Sequence, residues 1–350
     1  MERYIRENLR KLVLTPSVSN DSMDEIVDLT VSILYDMGLG SRVITGEEHS
    51  PVIIASYGKN GVCFSGHLDT VPVGDSWKHD QGEIVGSRMY GRGTLDMKGP
   101  CVSMMAAAKR LLEMEVPFTL IFTTDEEVSM NGALAVAEEP EITDAPAVVI
   151  CEPTGGLVVN EEKGVYQFKL KTTGVNAHAS MPEKGENAVV KMLPILEKMN
   201  NLNNIPTGKD QISCCVNVVN GGSATNVIPA ECTAEIDVRF PNEYQDEKSI
   251  HQFLFDSVSQ EHEYELIQYL DPVYVDPESE CITTMLKLAG TELWSVPYGT
   301  EMVRFFKTNP NTFIFGPGQV DVAHKPDEWI DIDDLVDIVK IYVEYARRMA

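Results

Sequence analysis

The chain has 350 residues, 43% of them hydrophobic and 23% charged, with 54 acidic against 28 basic side chains and a formal net charge of −26. That length has room for two domains, and the acidic excess opposes binding to nucleic acid or to an anionic membrane, both of which are polyanions. No apolar run approaches the roughly 20 residues that a membrane helix needs. The N-terminal MERYIRENLRKLVL is charged and amphipathic, without a signal-peptide core. Seven cysteines with no CxxC pair read as reduced, mostly buried thiols, with Cys63 and Cys151 in apolar runs and Cys214 and Cys215 adjacent. Together these features predict a cytoplasmic protein.

Residues 4–13 and 22–38 read as helices, the second with apolar residues at Ile26, Val27, Leu29, Val31, Ile33 and Leu34. Short apolar strands are expected at 52–56, 62–66, 118–124 and 146–151, with helices at about 100–113 and 130–138. Strands alternating with helices predict an α/β fold whose largely parallel sheet is covered on both faces.

The texture changes near residue 164. From there the order is strand 165–173, helix 186–200, strands 211–219 and 231–240, helix 244–258 and strand 263–270. In CTAEIDVRF, residues 232–240, Cys232, Ala234, Ile236, Val238 and Phe240 face one way and Thr233, Glu235, Asp237 and Arg239 the other. Such alternation belongs to a sheet with one wet face, and the β-α-β-β-α-β order predicts a ferredoxin-like α+β domain. After about 275 the α/β texture returns, with a strand at 313–315 and a last helix at 331–348 that carries Ile332, Leu335, Val336, Val339 and Val343 on one face. The expected division is a catalytic domain of 1–163 plus 275–350, with 164–274 inserted as a lid and dimerisation domain.

Acids and imidazoles follow these strands. The stretches are VCFSGHLDTVP (62–72), GRGTLDMKG (91–99), LIFTTDEEVS (120–129), VVICEPT (148–154) and FGPGQVDVAHKPDE (315–328). In an α/β sheet, loops after neighbouring strands converge on one edge. His67, Asp96, Glu127, Glu152 and His324 offer nitrogen and oxygen donors that suit zinc, cobalt or manganese. Asp69 lies two residues after His67, on the same face of an extended chain. Its carboxylate can accept a hydrogen bond from the far nitrogen of His67 and raise the basicity of the ring. Gly91, Gly93 and Gly99 permit a tight path around Asp96, and Pro100 suits the first turn of a helix. Glu126 and Glu127 are adjacent, so one can bind metal while the other stays free to move a proton. Taken singly, Asp96 reads as a turn residue, 125–127 as an acidic surface run and either histidine as structural.

As a set, the motifs SGHLDTVP, GRGTLDMKG, TTDEE, CEPT and GPG followed by AHKPDE resemble the co-catalytic metallopeptidase family. That family includes acetylornithine deacetylase, succinyl-diaminopimelate desuccinylase, aminoacylase and carboxypeptidase G. The resemblance implies that His67, Asp96 and Glu152 hold one divalent ion, and Asp96, Glu127 and His324 a second. It implies that Asp69 orients His67, that Glu126 is general base and then acid, and that the Asp96–Met97 peptide is cis. NAHASMPEKGENAV (176–189) resembles the family's histidine loop, in which His178 polarises the scissile carbonyl from the partner subunit's lid. ATNVIPAE (224–231), with Asn226, and Arg239 resemble the elements that grip a substrate α-carboxylate, and Gly299 and Thr300 the loop completing that pocket. Arg239 equally suits a cross-strand pair with Asp237 or Glu235. Pro100 and Glu301 depart from the residues common at those positions.

The expected function is therefore that of a homodimeric metal-dependent amidohydrolase. It would cleave the amide of an N-acyl amino acid in the manner of acetylornithine deacetylase, with two Zn2+ ions, or Co2+ or Mn2+, as cofactors. A desuccinylase comes next, then a dipeptidase or carboxypeptidase. A non-catalytic metal-binding relative stays open, although a pure binder has no need of a free Glu126.

Overall fold

Three strands of this chain, Val62–His67, Phe118–Thr123 and Val148–Ile150, are buried at every position. Apolar runs of that kind need cover on both faces, which is the setting of a parallel sheet. The computed structural model describes residues 1–46, 49–204, 211–244, 246–256 and 263–350. They fall into two units: Met1–Asn160 with Val275–Trp294 and Thr300–Ala350, and Glu161–Tyr274 with Ser295–Gly299.

In the first unit the sheet order is Arg42–Gly46, His49–Tyr57, Phe118–Thr123, Val62–His67, Val148–Ile150, Thr312–Ile314. The last four are mutually parallel. Both flanks are antiparallel: His49–Tyr57 against Phe118–Thr123, and Ile314 against Val159. The largely parallel sheet expected from the sequence is thus present, with antiparallel pairing at its flanks. Tyr57 and Val62 are joined by residues 58–61 alone, whereas a parallel return needs a crossover of about a dozen residues or more.

Helix Lys98–Glu113 packs on the two central strands, with helices Glu2–Leu14 and Ile332–Met349 against it. The buried stripe of the last helix is Ile332, Leu335, Ile338, Val339, Tyr342, Tyr345 and Ala346. Val336 and Val343, expected on that face, lie half-buried at its margin. The tyrosines displace them because their hydroxyls find buried acceptors, Tyr342 on the Phe315 carbonyl at 2.9 Å and Tyr345 on that of Cys281 at 3.1 Å. A small antiparallel sheet of Glu83–Val85, Arg88–Tyr90 and Trp329–Asp331 has no counterpart in the sequence reading. Strands of three residues are too short for a period to register.

The second unit has the β-α-β-β-α-β order: Gly164–Thr173, Ala188–Asn201, Ser213–Gly221, Glu231–Phe240, Glu247–Asp256, Glu263–Leu270. Its sheet order is Ser213–Gly221, Glu231–Phe240, Gly164–Thr173, Glu263–Leu270, antiparallel throughout. The helix expected at 244–258 is seen as Glu247–Asp256, and residues 245, 257 and 258 lie outside the described ones. Every second residue of Glu231–Phe240 is buried, from Cys232 to Phe240. These residues join Tyr166, Phe168, Leu170, Ile195 and Met199 in one core. Full burial of a side chain such as Phe168 stabilises by roughly 1.5–3 kcal/mol.

All seven cysteines are unpaired thiols, six buried and Cys215 exposed. Among the described residues no helix is long and apolar enough to cross a membrane.

Candidate metal centre

The four parallel strands end on the same edge of the sheet, and the candidate ligands collect there. His67 is the last residue of Val62–His67, Glu126 and Glu127 follow Phe118–Thr123, and Glu152 follows Val148–Ile150. His324 comes in the segment after Thr312–Ile314, at φ +60°. Asp96 precedes helix Lys98–Glu113, and the Asp96–Met97 peptide is cis. At Gly316 an added Cβ would stand 2.3 Å from the carbonyl oxygens of both Cys151 and Glu152, so only glycine lets that turn press on the strand end that carries Glu152.

Each imidazole faces two carboxylates. His67 Nε2 lies 3.0 Å from Asp96 Oδ1 and 3.3 Å from Glu152 Oε1. His324 Nε2 lies 3.0 Å from Glu127 Oε1 and 3.2 Å from Asp96 Oδ2. Donors on a tetrahedral ion with bonds near 2.0–2.1 Å stand roughly 3.3 Å apart. Two triads result, His67–Asp96–Glu152 and Asp96–Glu127–His324, with the donor atoms of each within 4.8 Å of one another. Asp96 turns one oxygen to each.

The charges of these groups show what the site needs. Burial opposes charging of His67, but Glu152, Asp69 and Asp96 outweigh it and hold its pKa well above the usual value. Hydrogen bonds to Asp96 and Glu127 push His324 up to about 10. Burial alone would raise Asp96, yet the imidazoles of His324 and His67 keep it well below the usual carboxylate range. Burial lifts Glu152 to about 7, and it lifts Glu126 well above its ordinary value, with Glu152, Glu127 and Glu301 adding repulsion. So many crowded acids demand positive charge. A divalent cation in each triad would supply it. The donor chemistry, the spacing and the excess of acid all fit two divalent ions.

The support around His67 differs in detail from the sequence expectation. Its Nδ1 lies nearest to the main-chain carbonyl of Asp69, at 2.9 Å, while the carboxylate Oδ1 stands at 3.4 Å. The carboxylate mainly holds the opposite loop. It accepts the N–H of Glu126 at 3.2 Å, that of Glu127 at 3.3 Å and the Ser19 hydroxyl at 2.7 Å. Asp69 is therefore in contact with His67 and with the main chain of the acidic pair alike. Asp125, the first of the three acids in sequence, is spent locally: it accepts from Ser129 Oγ and from the N–H groups of Asn131 and Gly132.

Four further residues border the site without having been singled out from the sequence for a role there. Ser19 is one, and the Cys101 thiol, 3.3 Å from the His67 carbonyl, is another. The others are Arg92 and Glu328, a buried ion pair. Arg92 sits between two glycines and Glu328 directly before an apolar Trp-Ile pair. Charges in such places signal a buried partner. Glu301, noted above as a departure, is buried, and its burial lifts its pKa to about 8.

The remaining candidates divide between the two units. His178 and Asn226 are brought together in the second unit, where Ala177–His178 pairs with Val227–Ile228 and the Ala179 N–H donates to the Asn226 carbonyl at 2.9 Å. His178 is exposed, and its Nδ1 accepts the Ser180 N–H at 3.2 Å. Arg239 makes a two-pronged pair with Asp237, Nε to Oδ1 at 2.7 Å and Nη2 to Oδ2 at 3.0 Å. The partner is one of the two the sequence left open, but the pair runs along a single strand and not across two. Gly299 closes the second unit and Thr300 begins the last stretch of the first, where its buried hydroxyl accepts the Met302 N–H at 3.1 Å.

Residues 63–348 match the model of the peptidase family M20/M25/M40. Among curated relatives, a probable succinyl-diaminopimelate desuccinylase of Staphylococcus aureus (strain MSSA476) is 28% identical, over 89% of this chain and 88% of the relative. An acetylornithine deacetylase of Klebsiella pneumoniae (strain 342) is 27% identical, over 93% of this chain and 92% of the relative. The crystal structure of aminopeptidase PepT from Bacillus cereus ATCC 10987 superposes with a TM-score of 0.82 at 18% identity, covering 100% of this chain and 99% of that one. With its motifs in family order and most of its length matched, the chain belongs to the peptidase family M20/M25/M40.

Proposed function

We propose that this protein is a two-metal amidohydrolase that splits an N-acyl amino acid into a carboxylic acid and a free amino acid, with an acetylornithine deacetylase-like preference. The observation that carries the reading is the pair of triads sharing Asp96, with the neighbouring Glu126 claimed by neither. His67, Asp96 and Glu152 would hold one ion and Asp96, Glu127 and His324 the other. Zinc suits the donors best, with cobalt or manganese as substitutes. Bound ions supply Lewis acidity, which polarises an amide carbonyl and makes a nearby water more acidic.

The chain's own residues do the rest. Glu126 takes a proton from the attacking water and returns it to the departing nitrogen. Asp69 keeps His67 and the 126–127 loop in register. His178 offers its Nε2–H to the developing oxyanion, acting on the partner subunit's substrate. Asn226, Arg239, Gly299 and Thr300 receive the α-carboxylate, with Arg239 exchanging Asp237 for the substrate.

A desuccinylase is the second reading, favoured by the relative of that name at near-equal identity. Amine release is measured on N-acetylornithine, N-acetyllysine, N-succinyl-diaminopimelate and several dipeptides, with zinc- or cobalt-loaded protein and a metal-free control. Metal-dependent cleavage of an acetylated amino acid above the others is the expected result. Preference for the succinylated substrate selects the second reading, preference for dipeptides moves the protein to the peptidases, and no cleavage despite bound metal rejects the enzyme.

The homodimer belongs to the same proposal. Strand Ser213–Gly221 is an edge of its sheet, and it carries Val218 and Val219 at 39% and 51% exposure. Val190 and Leu193 on helix Ala188–Asn201 are 58% and 57% exposed. An edge that no further strand covers among the described residues, beside exposed apolar side chains, suits a second copy of the chain. Leu193→Glu combined with Val219→Lys is expected to shift the sedimenting species from dimer to monomer and to depress turnover. A wild-type monomer with full turnover would refute both the dimer and the trans role of His178. Seven unpaired thiols suit a reducing compartment, and we assign the enzyme to the cytoplasm on that ground.

A further inference from the structure

Glu328 belongs to neither donor triad, yet it is fully buried, at 0% exposure. Its Oε2 meets Nη1 of Arg92 at 2.5 Å. Its Oε1 accepts two successive main-chain N–H groups, Leu95 at 2.9 Å and Asp96 at 3.2 Å. The main-chain carbonyl of Glu328 accepts the N–H of Gly91 at 2.9 Å. Arg92 is itself buried, with its Nε 3.3 Å from the Pro72 carbonyl and its N–H on Gln81 Oε1 at 2.7 Å.

The neighbours of Glu328 continue the same seam. Asp327, at φ +58°, accepts the N–H groups of Lys78 and His79 at 2.7 and 3.1 Å. Trp329–Asp331 pairs with Arg88–Tyr90 in antiparallel register. Residues 327–331 are thus stitched to 78–79 and 88–96. His324 leaves this seam three residues before Asp327.

A buried carboxylate in a region already rich in acid is costly unless it is paired and hydrogen-bonded. Here both conditions are met, and what they fix is an orientation. One oxygen holding two consecutive N–H groups sets the peptide planes on either side of Leu95, and so the direction in which the Asp96 side chain leaves the chain. Asp96 must present two oxygens to two different imidazole–carboxylate groups, and donor placement in such sites tolerates only about 0.5 Å.

We propose that the Arg92–Glu328 pair is the positioning device of the shared carboxylate: it orients Asp96 and anchors the base of the His324 segment to it, so that the Asp96–Glu127–His324 site is complete only while the pair is intact. The proposal rests on the two-metal reading above. Neither residue belongs to a donor triad, so the signature of the pair lies in how well the triads bind metal and not in the chemistry.

The test is stepwise titration of metal-free wild type, Glu328→Gln and Arg92→Lys with Co2+, read by visible absorption and by competition with a chelator. The thermal midpoint of each metal-free chain is measured alongside. Glutamine keeps the size and one acceptor but loses the charge that Arg92 needs. Lysine keeps the charge but cannot reach Glu328 and the Pro72 carbonyl together. Affinity for the second ion is expected to fall about 10–100-fold in both variants, and that for the first to fall less. A merely structural pair would lower the midpoint and leave the stepwise affinities alone. Second-ion affinity within about twofold of wild type in either folded variant overturns the proposal. If Glu328→Gln does not fold, Arg92→Lys decides by the same readout. A wild type that takes up fewer than two ions fails the two-metal reading itself, before any variant is compared.

Discussion

Glu126→Ala is expected to lower turnover about 10²–10⁴-fold while the protein retains its bound divalent ions, because the substitution removes a proton carrier and no ligand. The contact that holds this loop survives the change: the Glu126 N–H, not its side chain, donates to Asp69 Oδ1 at 3.2 Å. Glu127 keeps its own N–H on Asp69 Oδ2 at 3.3 Å and its carboxylate on His324 at 3.0 Å. Turnover on the best substrate of the panel and elemental analysis of the dialysed protein make the check. Undiminished turnover would remove Glu126 from the proton path. Loss of metal together with turnover would make it a ligand instead.

Asp96→Asn should behave in the opposite way. Asparagine matches aspartate in shape, but one of its two ends is an amide nitrogen that donates hydrogen bonds and cannot serve as a ligand as the carboxylate oxygen does. In the present geometry Oδ1 faces His67 and Oδ2 faces His324, so either orientation of the amide spoils one triad. The lost negative charge weakens both. Affinity for the second ion is expected to drop by at least about 100-fold, the upper end of what even an outer-shell loss costs. Activity of the dialysed variant should coincide with that of the metal-free wild type. Calorimetric titration of the metal-free protein gives the stoichiometry directly, and two ions still held tightly by Asp96→Asn would show that this carboxylate is not shared.

The two variants bear on different parts of one apparatus. Glu126 and Glu127 are adjacent and chemically alike, yet one variant is expected to spare the metal and the other side chain faces His324. What separates them is direction, and direction was set by the strand end and by Asp69 beneath it.

Much of this was already written locally. The alternation in Glu231–Phe240 and the apolar stripe of the last helix repeat at the period of their element, and Val62–His67, Phe118–Thr123 and Val148–Ile150 are short unbroken apolar runs, so a few consecutive residues suffice to reveal them. The candidate ligands were legible for the same reason. His67, Glu127 and Glu152 lie on or just after strand ends, which parallel strands bring to one edge; Asp96, ahead of helix Lys98–Glu113, and His324, in the segment after Thr312–Ile314, were legible only from their motifs. The antiparallel run of His49–Tyr57 was legible only from the short connection at residues 58–61, because an apolar strand by itself reads alike in either direction.

Other features depended on pairings across long stretches of chain. Arg92 finds Glu328 across 236 residues, and Ser19 finds Asp69 across 50. Nothing in the local pattern marks those partners, because a buried charge is satisfied by whatever chain closure places beside it. Arg239 offered two readings from sequence, and the folded chain sets it on Asp237, two residues away on the same strand face. The acids at 125–127 make the division plain. By itself the sequence determined that three carboxylates follow a buried strand of an α/β sheet. Only the tertiary structure decided that Asp125 caps a turn, that Glu127 faces His324 and that Glu126 is left over, because identical carboxylates differ in role through the direction of their Cα–Cβ bonds and the donors they meet.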